Sequence, residues 1–318
     1  YTAPAAIPSP REIHIVAEVP EAANRYLFAT VVIGQGEPEY VSKHVWSEKP
    51  GDEGTRLVSP HGIGLDKDGN VLIADQGAHQ VFRYSQTGEF IGPIGRGNGS
   101  EPGQFREPRE VTSDVDGNIF VSDSKGDRPR LQVFTHEGEF KQIFAEKGRW
   151  QGMLLRAHGM DFDSERRLFV VDVDNMAVKV YDKEGNSLFD WGVEGLAPGY
   201  FNAPHGLFVD RSGDVFVTGY YGPTQKFNAD GVFVLEFGHG DPPDGAIYFH
   251  SVAGDKWGNA YLSVRSKGGY DGAIQRGGKH VSIMKFNNNG SFITSWAYST
   301  PEHSESEVAV HDDGTVYA

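Results

Sequence analysis

The stretch PHGIGLDKDGNVLIADQGAHQVFRYSQTGEFIGPIG (60–95) decides the fold. It reads as four short strands in succession. HGIGL is apolar and ends at DKDGN, an Asp/Gly turn in which glycine supplies a positive φ and aspartate bonds the nearby backbone. VLIAD (71–75) follows, then the alternating QVFRY (80–84), then a glycine turn into GEFIGPIG. Strands of four to six residues with alternating polarity and glycine punctuation build antiparallel sheet.

The same pattern recurs along the chain. The turns DKDGN (66–70), DVDGN (114–118), DSERR (163–167), DRSGD (210–214), DKWGN (255–259) and HDDGT (311–315) start 45–56 residues apart. Each is followed by a second apolar strand, as in IFVSD (119–123), LFVVD (168–172), VFVTG (215–219) and AYLSV (260–264). An alternating third strand comes next, as in LQVFT (131–135), VKVYD (178–182), TQKFN (224–228) and SIMKF (282–286). Four strands in a unit of this length make a propeller blade. Five full units occupy roughly 57–298, and a sixth, SEVAV then TVYA, supplies only two strands. The sequence therefore predicts an all-β, six-bladed β-propeller over 57–318, with 1–56 as an N-terminal extension that closes the last blade. FATVVIG (28–34) is the natural closing strand, and YVSKHVW (40–46) is a candidate for the strand still missing.

Composition narrows the function. The 318 residues include 41 glycines and 17 prolines, as many tight turns require, and carry a net charge of −15. That charge argues against nucleic acid, whose phosphates need clustered Lys and Arg, and against an anionic membrane surface. No run of apolar residues is long enough to predict a membrane-inserted helix. With no cysteine, thiolate ligands and nucleophiles are excluded. A cysteine-free chain that opens on Tyr1 suits a secreted or periplasmic protein whose signal peptide has been removed, or equally a chain trimmed at its start.

The first strand of each blade lines the central channel, so the residue five before each turn should face one axis. Those residues are His61, Arg109, His158, His205, His250 and Ser306. Imidazoles gathered at one point suit Zn²⁺ or another borderline metal, with an open position for water or substrate. Channel histidines bonded to backbone and water are the bland reading of the same pattern. Tyr220 and Tyr221 follow the second strand of the fourth unit, and Arg265 that of the fifth. At the channel mouth a tyrosine can act as base or oxyanion donor, and Arg265 or Arg109 can clamp a carboxylate. Rim packing and surface ion pairs are the plainer reading. Glu110 and Glu307 each follow a ring position and could balance Arg109 or hold a cation. The Gly-rich SKGGYDGAIQRGGKH (266–280) is a candidate lid, or a plain surface loop.

Units of this form resemble NHL repeats over about 57–318. The PHG, AHG, PHG and FHS phases, with PHGIGLDKDG and AHQVF as the closest local matches, further resemble peptidyl-hydroxyglycine alpha-amidating lyase. That resemblance implies a catalytic zinc on three channel histidines from alternating blades, matching His61, His158 and His250, with His205 an addition. It also admits a structural Ca²⁺. The family's tyrosine falls at Lys125, its arginine at Val173 and its calcium-holding aspartate at Ser251. The metal ligands carry over and the substrate machinery does not.

The expectation is a metal-dependent lyase or hydrolase, peptidylamidoglycolate-lyase-like, acting on a small polar, carboxylated or peptide-derived substrate. The alternative is a non-catalytic NHL propeller that binds a peptide or protein partner. A calcium-dependent lactonase ranks last, because such sites want carboxylate and amide oxygens where this ring offers imidazoles.

Overall fold

Each repeat unit folds as a meander because its turns leave the backbone no other course. In the first unit Asp66 Oδ1 accepts the amides of Asp68 and Asn70, at 3.0 and 2.9 Å, and Gly69 takes a φ of +78°. The chain reverses there, and Pro60–Leu65 pairs antiparallel with Val71–Asp75, then Gln80–Tyr84, then Phe90–Ile94. In this computed structural model, side chains are described for residues 57–124, 129–145, 147–238, 249–263, 283–295, 307–312 and 314–318. The strands at 11–18, 26–33, 41–45, 247–248, 264–266, 275–276, 279–280 and 296 are described by backbone alone.

The chain is an all-β β-propeller. Four more four-stranded sheets follow the first, with inner strands Pro108–Ser113, Ala157–Phe162, Pro204–Val209 and Ile247–Gly254. Successive inner strands pack side by side around the axis. The core lies between blades, where the face of one sheet meets the face of the next. Phe169, Val171, Val178 and Val180 of the third blade pack on Leu207, Val215, Val217 and Phe227 of the fourth. Leu72, Ala74 and Val81 of the first pack in the same way on Val111, Ile119 and Val121 of the second. Val71, Ile73 and Phe82, on the opposite face of the first blade, pack on Ala309 and Tyr317.

Six blades were expected, the last closed by an N-terminal strand, and the structure has five. The sixth unit contributes only Ala309–Val310 and Val316–Tyr317, too short for a sheet of its own. These two strands extend a five-stranded sheet with three N-terminal strands, Arg11–Glu18, Tyr26–Ile33 and Val41–Val45. Val316–Tyr317 runs parallel to Arg11–Glu18, through Ile13↔Val316 and His14↔Tyr317. A regular blade contains no parallel pair. The expected closing strand at 28–34 therefore overlaps Tyr26–Ile33, one place further out, and Val41–Val45 is the outermost strand. Ala309–Val310 packs beside both Ile247–Gly254 and Pro60–Leu65.

The candidate lid is partly described. Within it Gln275–Arg276 and Lys279–His280 pair as a small antiparallel hairpin. Among the described residues no helix is long and apolar enough to cross a membrane.

Candidate functional site

The inner strands carry an irregularity at one shared place. Pairing with the second strand slips between Pro60 and Gly62, Pro108 and Val111, Ala157 and Met160, Pro204 and Leu207, and Phe249 and Val252. The slip falls on the ring residues His61, Arg109, His158, His205 and His250. A bulge re-aims a side chain that a regular strand would send to a sheet face. In three of the five blades the amide it frees is satisfied by a hydroxyl on the second strand. Ser122 Oγ accepts from Glu110 N, Thr218 Oγ1 from Gly206 N and Ser263 Oγ from Ser251 N, at 2.8–3.0 Å.

The approach to the ring is fixed too. Asp75 accepts the amides of Val58 and Ser59 at 2.6 and 2.9 Å. Asp123 does the same for Arg106 and Glu107, and Asp172 for Leu155 and Arg156. In each case the two amides lie three and two residues before the ring position. These aspartates close VLIAD, IFVSD and LFVVD, a repeated signal in the sequence that marks them as positioning residues.

Glycine fills the place after the ring residue at Gly62, Gly159 and Gly206, because the neighbouring inner strand abuts it. A Cβ on Gly62 would stand 2.2 Å from the Arg109 carbonyl oxygen, and one on Gly159 would stand 2.3 Å from Leu207 N. Glu110 and Glu307 occupy this same column, both buried, and they line a cavity of about 310 Å³ that also reaches Asp161.

The four imidazoles converge. Ring centroids are 4.1 Å apart for His158 and His205, 4.0 Å for His205 and His250, and 5.4 Å for His61 and His158. Potential ligand atoms of His61, His158 and His205 all lie within 4.8 Å of one another. So do those of His205, His250 and Glu307, and of His61, Glu110 and Glu307. His205 thus lies between His158 and His250, within reach of both.

Burial holds His158 and His205 well below the usual imidazole range, with neighbouring histidines reinforcing the effect and Arg109 adding to it at His158. Both are therefore neutral, the form that ligates a metal. His158 Nδ1 is buried without a hydrogen-bond partner among the described residues, and its Nε2 faces Arg109 Nη1 at 3.3 Å. Below the ring, burial and then the nearby Glu307 push Glu110 up to about 7. Glu307 moves the other way. Burial opposes its ionisation, but His250, 3.0 Å away, prevails and holds it below the ordinary range.

The remaining expected site residues fall as follows. The Tyr220 hydroxyl stands 3.1 Å from His250 Nε2. Tyr221 turns outward and is 64% exposed. Arg109 joins the ring but is paired with Glu107 at 2.5 Å. Arg265 lies on Ala260–Ser266, backbone-paired with Tyr248, and its side chain is outside the described residues, as are Lys125 and Ser306. Val173 is buried between the third and fourth blades. Glu307 is visible in the sequence beside its ring position, but its pairing with His250 is not, because that contact joins positions 57 residues apart.

Comparison with known proteins agrees with this architecture. The chain is 28% identical over 197 residues to peptidyl-glycine alpha-amidating monooxygenase A of Xenopus laevis, covering 57% of this chain and 20% of that protein. It is 28% identical over 146 residues to human NHL repeat-containing protein 3, covering 42% of each. The chain thus spans about a fifth of the amidating monooxygenase it matches. Among solved structures, a streptogramin B lyase superposes with a TM-score of 0.58 at 15% identity, over 97% of this chain and 90% of that one, a likeness of fold. Residues 57–84 match the NHL repeat, so the chain is a β-propeller carrying an NHL repeat and similar in sequence to the amidating monooxygenases and to NHL repeat-containing protein 3.

Proposed function

We propose that this protein is a metal-dependent lyase or hydrolase. Its substrate is a small polar molecule, carboxylated or peptide-derived, taken up at the histidine-lined channel. The observation that carries this reading is the convergence of His61, His158, His205 and His250, two of them held neutral by burial. Neutral imidazoles this close suit Zn²⁺ better than Ca²⁺, which wants oxygen donors. A metal bound there supplies Lewis acidity toward a substrate oxygen or a water.

The chain's own residues supply the rest. Arg109 offers a guanidinium within the ring that can receive a substrate carboxylate in exchange for Glu107. Tyr220 places a phenol beside the imidazoles, where it can take up or return a proton. We read the closing sheet as the sixth position of the ring, with 1–56 as the extension that completes a propeller at 57–318. Two of the similar proteins bear enzyme names, an amidating monooxygenase and a streptogramin B lyase, which supports a catalytic channel.

The test is elemental analysis of the purified chain, followed by assays with and without chelator. Substrates would be peptides ending in α-hydroxyglycine, together with small hydroxy acids and their esters. Expected are a bound transition metal, turnover lost on chelation and loss of metal in His158→Ala. A native chain free of transition metal, with zinc affinity unchanged in His158→Ala, would sink the reading.

A second reading has one observation in its favour. Ile91, Leu188, Val234 and Ile293 occupy the same place on four outer strands, and all are exposed. Such an apolar row on sheet edges suits a partner protein.

A further inference from the structure

We infer that Glu307, His250 and Tyr220 form a carboxylate–imidazole–phenol relay, in which His250 serves Tyr220 as a base and does not ligate the metal. This rests on the reading of the ring as a reaction site.

The geometry divides the four histidines. His250 Nδ1 faces Glu307 Oε1 at 3.0 Å, with both side chains buried. The charge of a carboxylate beside Nδ1 favours the tautomer protonated there, which leaves Nε2 with a lone pair. That lone pair faces the Tyr220 hydroxyl at 3.1 Å and accepts from it. A metal on His250 would have to displace the Tyr220 hydroxyl from Nε2 or the carboxylate from Nδ1. His61, His158 and His205 meanwhile close on one another without His250. Three imidazoles leave a fourth coordination position open, as catalytic zinc sites do.

The relay is rigidly mounted. The His250 carbonyl accepts Thr218 Oγ1 at 3.0 Å and stands 3.2 Å from His205 Nδ1. Val308 N donates to Ser251 Oγ at 3.3 Å, tying the residue after Glu307 to the residue after His250. The Tyr220 ring meets both His205 and His250 at near right angles, 82° and 90°. Its hydroxyl is thus held against the imidazoles of the ring.

The chemistry balances. A hydroxyl, or an acidic C–H beside a carbonyl, loses its proton to the Tyr220 oxygen as the Tyr220 proton passes to His250 Nε2. One substrate X–H bond and one phenol O–H bond break, and one O–H and one N–H bond form. Glu307 stays ionised against the resulting imidazolium. The proton returns by the same path to the leaving group. Tyr220 is the group that touches substrate, and Glu307 is a positioning residue.

The experiment reads phenol reactivity without needing the substrate. The zinc-loaded chain is treated with N-acetylimidazole, and acylation of Tyr220 and Tyr221 is resolved by peptide fragmentation. Tyr221 is the internal reference, being the more exposed of the two. The relay predicts that Tyr220 reacts faster than Tyr221 despite its lower exposure. It predicts that Glu307→Gln and His250→Gln each slow Tyr220 about tenfold against that reference, and that Glu307→Asp restores it. In parallel, zinc affinity should fall about tenfold or more in His205→Ala and stay within about threefold in His250→Gln. A faster Tyr221 in the native chain, or a ratio unmoved by Glu307→Gln, overturns the relay. Loss of zinc in His250→Gln also overturns it while leaving the metal reading intact. If the native chain binds no zinc, the metal reading fails alone, and the acylation ratio still decides the relay.

Discussion

Arg109 Nη1 stands 3.3 Å from His158 Nε2, so a guanidinium on one blade donates to an imidazole on the next. Guanidinium nitrogens cannot accept, so Nε2 of His158 is the unprotonated nitrogen and Nδ1 carries the hydrogen. The lone pair a metal would use is thereby occupied by a cation.

Removing that competitor should strengthen metal binding. Arg109→Met is expected to raise zinc affinity about tenfold in a competition titration with a chromogenic chelator. The same variant should bind carboxylated substrates less well. A drop in zinc affinity would mean that Arg109 supports the site and does not compete for it.

The histidines should make the metal-free chain sensitive to acid. His158 and His205 titrate well below the ordinary value of 6.5 when folded. The unfolded chain therefore takes up more protons below pH 6.5, and each residue costs about 1.4 kcal/mol of stability per pH unit lost. Glu110 acts in the opposite sense between 4.5 and about 7, where its folded form keeps a proton that the unfolded form loses. Two imidazoles outweigh one carboxyl, so stability should fall from pH 6.5 to 5.5 in the presence of chelator. Denaturant titrations of the native chain and of His158→Gln/His205→Gln would test this, the double variant having the shallower slope or the reverse one.

Glu110 itself is costly when ionised. Its carboxyl is raised from 4.5 to about 7, so above that range the metal-free fold carries a penalty of up to about 3 kcal/mol. Glu110→Gln should stabilise the chelated chain at pH 8 and have little effect near pH 4.5. Equal shifts at both pH values in thermal melts would refute this.

The close strand approach beside the ring predicts an asymmetry among glycines. Gly62→Ala or Gly159→Ala drives a methyl into backbone of the next blade and should cost about 3 kcal/mol or more. Gly92, on an outer strand, meets nothing within 4 Å, and Gly92→Ala should be neutral or stabilise by about 0.5 kcal/mol. Chemical denaturation of the three variants separates the cases.

The blades were legible because each is local. Turn residues such as Asp66 and Gly69 lie next to the strands they reverse, and the 45–56-residue repeat places His61, His158, His205 and His250 on one axis. What escaped was long-range. Nothing near Val316 says that it pairs in parallel with Ile13, and nothing near His250 says that Glu307 stands against it. The bulge at each histidine was hidden for another reason. In three blades, at Arg109, His205 and His250, it is supported by the hydroxyls of Ser122, Thr218 and Ser263 on the next strand, ordinary residues in an otherwise apolar word.

The sheet that holds Ile13 and His14 against Val316 and Tyr317 also sets the order of assembly. Every regular blade is a meander of consecutive strands and can form as soon as its own residues leave the ribosome. That clasp alone must bring together residues some three hundred positions apart, so it is the last and slowest event. Until it forms, the nascent ring is an open arc with the first blade's outer face, Val71, Ile73 and Phe82, bare to solvent. The interval before closure is when a chaperone would find the chain and when aggregation would compete with folding.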